Sequence, residues 1–205
     1  MTTELLTRRT HRTPTRPDLT VLGELNLPLA RLHEICGPAR HTLAMLIAAT
    51  TQGPVFWITP AWTTDALNPD GMVALTQPNR FTFLAPRRAE DLLWTLEEAL
   101  RSGLVPLAIA ELPEPPGMTA VRRLHLAAET GAAEGHGAPL GLILTPGDGG
   151  APGIETRWHM AQAHTPGAPG WALTRRRART LPPKDWHLAG RPGRWRLTPS
   201  TLTEA

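Results

Sequence analysis

The stretch Glu34-Ile35-Cys36-Gly37-Pro38-Ala39-Arg40-His41-Thr42-Leu43, EICGPARHTL, decides how the rest of the chain is read. An apolar strand runs into Gly-Pro, a few polar residues follow, and the chain then enters an apolar run with helical spacing at Leu43, Leu46 and Ile47. That is the layout of a phosphate-binding loop, in which a glycine-rich turn hands a strand to a helix. The residues that would hold the phosphate are mostly missing. A working loop reads G-x-x-x-x-G-K-[ST]: amides wrap the anion, the lysine reaches its outer oxygens and the hydroxyl holds magnesium. Here Gly37 takes the first position, and Pro38, Ala39, Arg40, His41 and Thr42 follow with no second glycine and no lysine. A shortened turn has fewer amides to aim at one anion, and a planar arginine fork does not replace a compact lysine. The residues therefore read as a vestigial phosphate loop, Gly37, Pro38, Arg40, His41 and Thr42, with a plain strand-to-helix turn as the favoured interpretation.

Outward from this loop, strands and helices alternate. Leu32–Ile35, Val55–Ile58, Phe81–Leu84, Val105–Ala110 and Leu140–Leu144 read as core strands. Arg40–Gln52, Arg88–Ser102 and Met118–Thr130 read as helices, with a short helix opened by Asn68-Pro69-Asp70-Gly71. In the second long helix Leu92, Leu93, Leu96, Ala99 and Leu100 form the apolar stripe, Glu97 and Glu98 are expected to face outward, and Gly103 is placed to cap the end. In the third, Val121, Leu124, Leu126 and Ala128 are expected inward. After the turn-rich GDGGAPG the period changes. Glu155–His164 alternates like an exposed strand, and Trp171–Arg179 and Arg194–Thr198 follow with no helix between, so an antiparallel hairpin or meander is expected at one edge of the sheet. The expected fold is α/β: a mostly parallel sheet flanked by helices, plus C-terminal antiparallel strands. The expected organisation is a disordered tail at 1–18, one domain at 19–198 (α/β core 19–147, β meander 153–198) and a tail at 199–205.

Composition narrows the function. With 205 residues, 41% hydrophobic and 19% charged, the chain suffices for one globular core. No apolar run is long enough to span a membrane, the Arg/Thr-rich N-terminus has no secretory core, and the single cysteine, Cys36, excludes an internal disulfide. A cytoplasmic home is expected, with no membrane partner. Of 21 basic residues only Lys184 is not arginine. Residues 41–119 hold four arginines against eight acids, a net of −4, whereas 120–205 hold eleven basic residues against six acids, a net of +5. The basic third carries Arg175, Arg176, Arg177, Arg179, Lys184, Arg191, Arg194 and Arg196, interleaved with Trp171, Trp186 and Trp195. On a strand Arg175, Arg177 and Arg179 would share one face. Guanidinium forks suit phosphates and indole faces stack bases, which makes single-stranded DNA contact reasonable. The same residues also suit an acidic protein surface, or a solvated strand whose tryptophans pack on the core. Arg175, Arg176, Arg177, Arg179, Lys184, Arg191, Arg194, Trp195 and Arg196 are thus the candidate nucleic-acid or partner contacts. The eight histidines are scattered without metal-ligand spacing, and serine is nearly absent, so no metal, cofactor or catalytic residue is expected.

The order of these parts resembles the plan of a RecA-type ATPase core. More closely, LHEICGPARHTL, PVFWITPAW, DLLWTLEEALRSGLVPLAIAEL, AVRRLHLAAETG with LGLILTP, and TRWHMA with WALTRRRAR resemble the ImuA family, RecA-like accessory proteins of SOS mutagenesis related to the inhibitor SulA. The match runs over about residues 20–198 and rests on order and spacing. The resemblance implies a RecA-like core and an adaptor role in translesion synthesis. It also implies an ImuB-like Y-family polymerase relative as partner, with an error-prone C-family DNA polymerase, RecA or single-stranded DNA as further contacts. In that frame the strand ending Ala110-Glu111 stands where an ATPase carries its magnesium-ordering acid, and Thr145 where a sensor of the γ-phosphate would be. A SulA-like division inhibitor and a degenerate RecA-type ATPase are the alternative readings.

Overall fold

A computed structural model describes residues 17–64, 66–135 and 137–200. The tail read at 1–18 lies outside them except for its last two residues, and of the tail read at 199–205 only the first two fall inside. Hairpin β1 (Asp18–Leu22) and β2 (Leu25–Pro28) opens the described chain. The core follows as β3 (Arg31–Cys36), α1 (Arg40–Thr50), β4 (Val55–Ile58), α2 (Pro69–Val73), β5 (Phe81–Leu84), α3 (Ala89–Ser102), β6 (Leu107–Glu111), α4 (Met118–Glu134) and β7 (Leu140–Leu144). The chain ends in β8 (Thr156–Gln162), β9 (Gly170–Ala178), β10 (Lys184–Ala189) and β11 (Arg196–Pro199).

Among the described residues these strands, apart from the hairpin, form one sheet in the order β11-β10-β9-β8-β3-β7-β6-β4-β5. Pairing is parallel from β8 to β5 and antiparallel from β8 to β11. The strands at the centre read as unbroken apolar runs because both of their faces are covered. β3 and β7 are buried along their whole length. Alternate side chains feed two layers. On one face Leu43 and Ile47 of α1 pack with Trp57, Ile109, Leu142, Trp158, Trp186 and the hairpin's Leu25 and Leu27. On the other, Leu92, Leu96 and Leu100 of α3 pack with Val121 and Leu124 of α4 over Ile58, Ala108 and Ile143. No helix among the described residues is long and apolar enough to cross a membrane.

A buried carboxylate fastens the parallel half to the meander. Glu34 of β3 is fully buried. Its Oε1 accepts from Thr145 Oγ1 at 2.8 Å and the Gly150 amide at 2.9 Å, and its Oε2 accepts from the Ala151 amide at 3.1 Å and from Arg157 Nε. Arg157 also donates to the Ala151 carbonyl at 2.9 Å. One residue thus joins β3, the glycine turn after β7, and β8. Next to it, His33 is buried inside a chain of hydrogen bonds. The Pro28 carbonyl can only accept, so His33 Nε2 carries the proton and donates at 2.9 Å. Nδ1 then accepts from Thr156 Oγ1 at 2.7 Å, whose oxygen accepts in turn from Trp158 Nε1 at 3.0 Å.

Several expectations are corrected. Glu97 does not face outward: it is 6% exposed, because α4 brings Arg123 over it at 2.6 Å while Arg101, one turn on, closes the other side. Leu126 points to solvent at 61% exposure, and Ala127 takes the inward place beside Leu124. The segment read as an exposed strand is half buried, through Thr156, Trp158 and Met160, and it joins β3 in parallel before the chain reverses. The hairpin and β10 are additions to the expected set, whereas Gly103 does end α3, with φ of 62°.

Replacing Glu34 with Gln removes the charge that Arg157 faces, and we expect a loss of about 3 kcal/mol in urea unfolding, the usual scale for breaking a buried pair from one side. His33 has its pKa lowered to about 4, first by burial and then by the charge of His125, against an ordinary 6.5. The unfolded chain therefore binds more protons between those values, and stability present above pH 6.5 is lost as the pH falls toward 4. A His33→Gln variant should show a flatter melting-temperature profile across that window than the parent.

Candidate functional site

The strand-to-helix loop is closed by its own protein. Gly37, at φ 89°, sits where an added Cβ would lie 2.5 Å from the Met160 carbonyl and 2.8 Å from the His159 ring. Its amide donates to the Gly147 carbonyl at 2.9 Å, the Ala39 amide to the Met160 carbonyl at 3.0 Å, and the Arg40 amide to the Gly37 carbonyl at 3.2 Å. Pro38 has no amide to give. Three amides of the turn are thus spent on carbonyls. Arg40 bends back with Nη1 3.4 Å from the Gly37 carbonyl, and Thr42 lies partly buried in the first turn of α1.

His41 reaches across the strand ends. Its Nε2 meets Glu111 Oε1 at the end of β6, and Thr59 Oγ1 donates to the other oxygen at 3.2 Å. In the sheet β6 is separated from β3 by β7 alone, so the loop and the acid are spatial neighbours. Burial raises the Glu111 carboxyl, but the His41 hydrogen bond and charge, the Thr59 hydroxyl and the Arg40 charge carry it below the ordinary value of 4.5. The histidine is held from behind by Trp57, with ring centroids 6.0 Å apart. Clefts of about 180 and 300 Å³ flank Glu111, the first bounded by Arg40, Trp62 and Pro146, the second by Trp57, Leu67 and Phe83. Thr145 points elsewhere, donating to Glu34. Cys36, fully buried at the end of β3, has its thiol pushed up to about 12, first by burial and then by the Glu34 charge, which keeps it from nucleophilic chemistry.

The basic constellation divides. Arg175 is 4% exposed and does not share an open face with Arg177 and Arg179. Its guanidinium lies 5.7 Å from the Trp158 ring and 5.1 Å from the Trp186 ring, and both Nε and Nη2 donate to the Pro182 carbonyl. The reason is alternation: Arg175 is in phase with the buried Trp171 and Leu173, and the irregularity that skips Arg176 puts Arg177 out of that phase. Arg176 pairs with Asp148 at 2.9 Å, Arg179 approaches Glu155 at 3.9 Å, and Arg177 is exposed. Lys184 holds both carboxylate oxygens of Glu24 in the hairpin turn, at 2.6 and 2.9 Å.

Arg191, Arg194 and Arg196 lie at the other end of β10, past Ala189, and the full β10 run puts the two groups about 17 Å apart at the usual rise per strand residue. Among the described residues none of these three is in an ion pair. Trp195 beside them is half-buried, edge-on to Trp171 at 5.5 Å. The structure thus brings together Arg191, Arg194, Trp195 and Arg196, and separates them from Arg176, Arg177, Arg179 and Lys184. Sequence reasoning passed over the Glu34 nest and the direct bond of His41 to Glu111. The acid at 111 was the only available signal for the second.

No family model and no curated protein matches the sequence. Among solved structures, SulA from Pseudomonas aeruginosa is similar at 21% identity with a TM-score of 0.44, over 57% of this chain and 98% of that one.

The two classes of arginine differ in what their loss does. Arg175→Ala leaves a hole between two indoles and removes two donors from the Pro182 carbonyl, and we expect a cost of about 2–4 kcal/mol. Arg177→Ala should stay within about 0.5 kcal/mol, as at other exposed positions. Thermal melts of the two variants side by side check this.

Proposed function

We propose that this chain is a non-catalytic accessory protein of damage-induced mutagenesis, a RecA-like adaptor for an ImuB-like Y-family polymerase relative, working beside an error-prone C-family polymerase. The observation that carries the reading is the closure of the strand-to-helix loop: the amides of Gly37, Ala39 and Arg40 are donated to carbonyls, and His41 is bonded to Glu111. Admitting a triphosphate there requires breaking those bonds and opening space that the Met160 carbonyl fills. The gain from one anion contact would first have to offset several buried donors and acceptors left unpaired. An adaptor needs a rigid scaffold and a free surface, not a nucleotide cycle. The sheet supplies the first, and the arginines of the β10–β11 connection, which are in no ion pair among the described residues, supply the second. The sequence resemblance to the ImuA family supplies the biological setting. RecA and single-stranded DNA are secondary contacts in this proposal.

The experiment is a pull-down of the full chain against the purified ImuB-like protein, the C-family polymerase, RecA and a division GTPase. Stable capture of the ImuB-like protein is the expected result, and capture of the GTPase alone would replace this reading with a division-inhibitor one. Calorimetry with ATP and magnesium should show no binding tighter than about 1 mM. Micromolar affinity with turnover would return the chain to the ATPases.

A further inference from the structure

The hairpin, α1 and the meander do not close completely on one another. Between them lies an apolar cleft of about 210 Å³, walled by Val21 of β1, Leu46 of α1, Leu75, Leu188 of β10, and Trp195 and Leu197 beside β11. Its lip carries cation. Arg191-Pro192-Gly193-Arg194 is a tight turn closed by the Arg194 amide donating to the Arg191 carbonyl at 2.8 Å, with Gly193 at φ 75° lining the cleft. Proline second and a positive-φ glycine third is the arrangement of a type II turn, which holds the flanking residues at fixed corners. Arg191 and Arg194 are exposed and flank the Gly193 corner that lines the cleft, with Arg196 two residues on, and among the described residues no acid pairs with them.

We infer that this cleft is a docking site for an acidic peptide segment of a partner protein that inserts one large apolar side chain, leucine or phenylalanine, between α1 and the meander. The inference deepens the adaptor reading and rests on it for the partner's nature. An apolar cavity of roughly 150 Å³ already accepts a benzene ring, so this one has room for such a side chain. The arginine lip selects the flanks by charge, steering an acidic segment and repelling a basic one. The chain's own N-terminus is a poor occupant, since residues 1–16 hold Arg8, Arg9, Arg12 and Arg16 against Glu4 alone. Nucleic acid fits less well, because the walls are aliphatic. The aromatic at the mouth, Trp195, is already engaged with Trp171 at 73°, whereas base stacking calls for an open ring face.

The test is fluorescence anisotropy with a labelled peptide of about twelve residues bearing one leucine among aspartates and glutamates, titrated with the full chain. Ala49→Trp fills the cleft from the exposed side of α1 without touching the buried core, and Arg191→Glu with Arg194→Glu reverses the lip. Each should weaken binding by at least about tenfold, and the lip variant should also lose the salt dependence seen with the parent. Changing the peptide's leucine to alanine should cost a similar factor. Equal binding by parent, Ala49→Trp and the leucine-free peptide would overturn the cleft. So would displacement of the peptide by a tighter-binding oligothymidylate, or a dimer seen in sedimentation that Ala49→Trp abolishes. Capture of the ImuB-like protein separates the two levels. If Ala49→Trp captures it as well as the parent does, the adaptor stands and the cleft falls. If no chain captures it yet the acidic peptide binds as described, the cleft stands and the adaptor's named partner falls.

Discussion

Glu34 holds a position that every other element must respect. A carboxylate removed from water is costly unless its oxygens are fully engaged, and here a hydroxyl, two amides and a guanidinium engage them. Successive backbone amides in a glycine-rich turn make a concavity suited to an anion. In GDGGAPG that concavity is filled by a side chain of the same protein. The consequence is geometric: with Arg157 tied to Glu34, β8 must lie against β3 in parallel, and the meander that follows is fixed at that edge. The loop beside it follows the same habit. Its amides go to the carbonyls of Gly147 and Met160, one on the glycine turn and one on β8, so the closed loop and the docked meander are one arrangement.

Where the chain was readable, a local rule was sufficient. Val55–Ile58 and Leu140–Leu144 are short apolar runs set off by glycine, proline or loop residues, and α3 carries a stripe that only one helical face can explain; Phe81–Leu84, read as a core strand, is a strand but lies at the sheet edge with Thr82 and Phe83 exposed. The misreadings share the opposite property. Whether Glu97 meets solvent depends on Arg123 of another helix, and whether Arg175 does depends on Trp158 and Trp186 of the neighbouring strands; a register shift then sets Arg177 on a different face. Period tells which residues share a face; it does not tell what lies on that face. The site divides the same way. The missing lysine and second glycine are visible in Gly37–Thr42, whereas the bond from His41 to Glu111 crosses two elements and has no trace in local spacing.

Charge in the C-terminal third is likewise less uniform than composition suggests. Arg157, Arg175, Arg176 and Lys184 are tied to Glu34, the Pro182 carbonyl, Asp148 and Glu24, and so belong to the architecture. Among the described residues of the meander, what remains for another molecule is Arg177 and, grouped together, the three arginines at the β10–β11 connection. A high isoelectric point thus says little by itself about what the protein touches. The location of the unspent cations says more, and it coincides with the apolar gap between helix and meander.

The place of β3 in the sheet has a consequence for biosynthesis. Its neighbours are β7 and β8, and the Glu34–Arg157 contact spans 123 positions of sequence. At ribosomal rates of about 5–20 residues per second, Glu34 would wait roughly 6–25 s after it is made before its guanidinium partner exists. Through that interval the first core strand of the nascent chain carries an unmatched carboxylate and two bare edges. The hairpin and α1 can collapse on it early, but the sheet's centre can be completed only once β7 and β8 have been made.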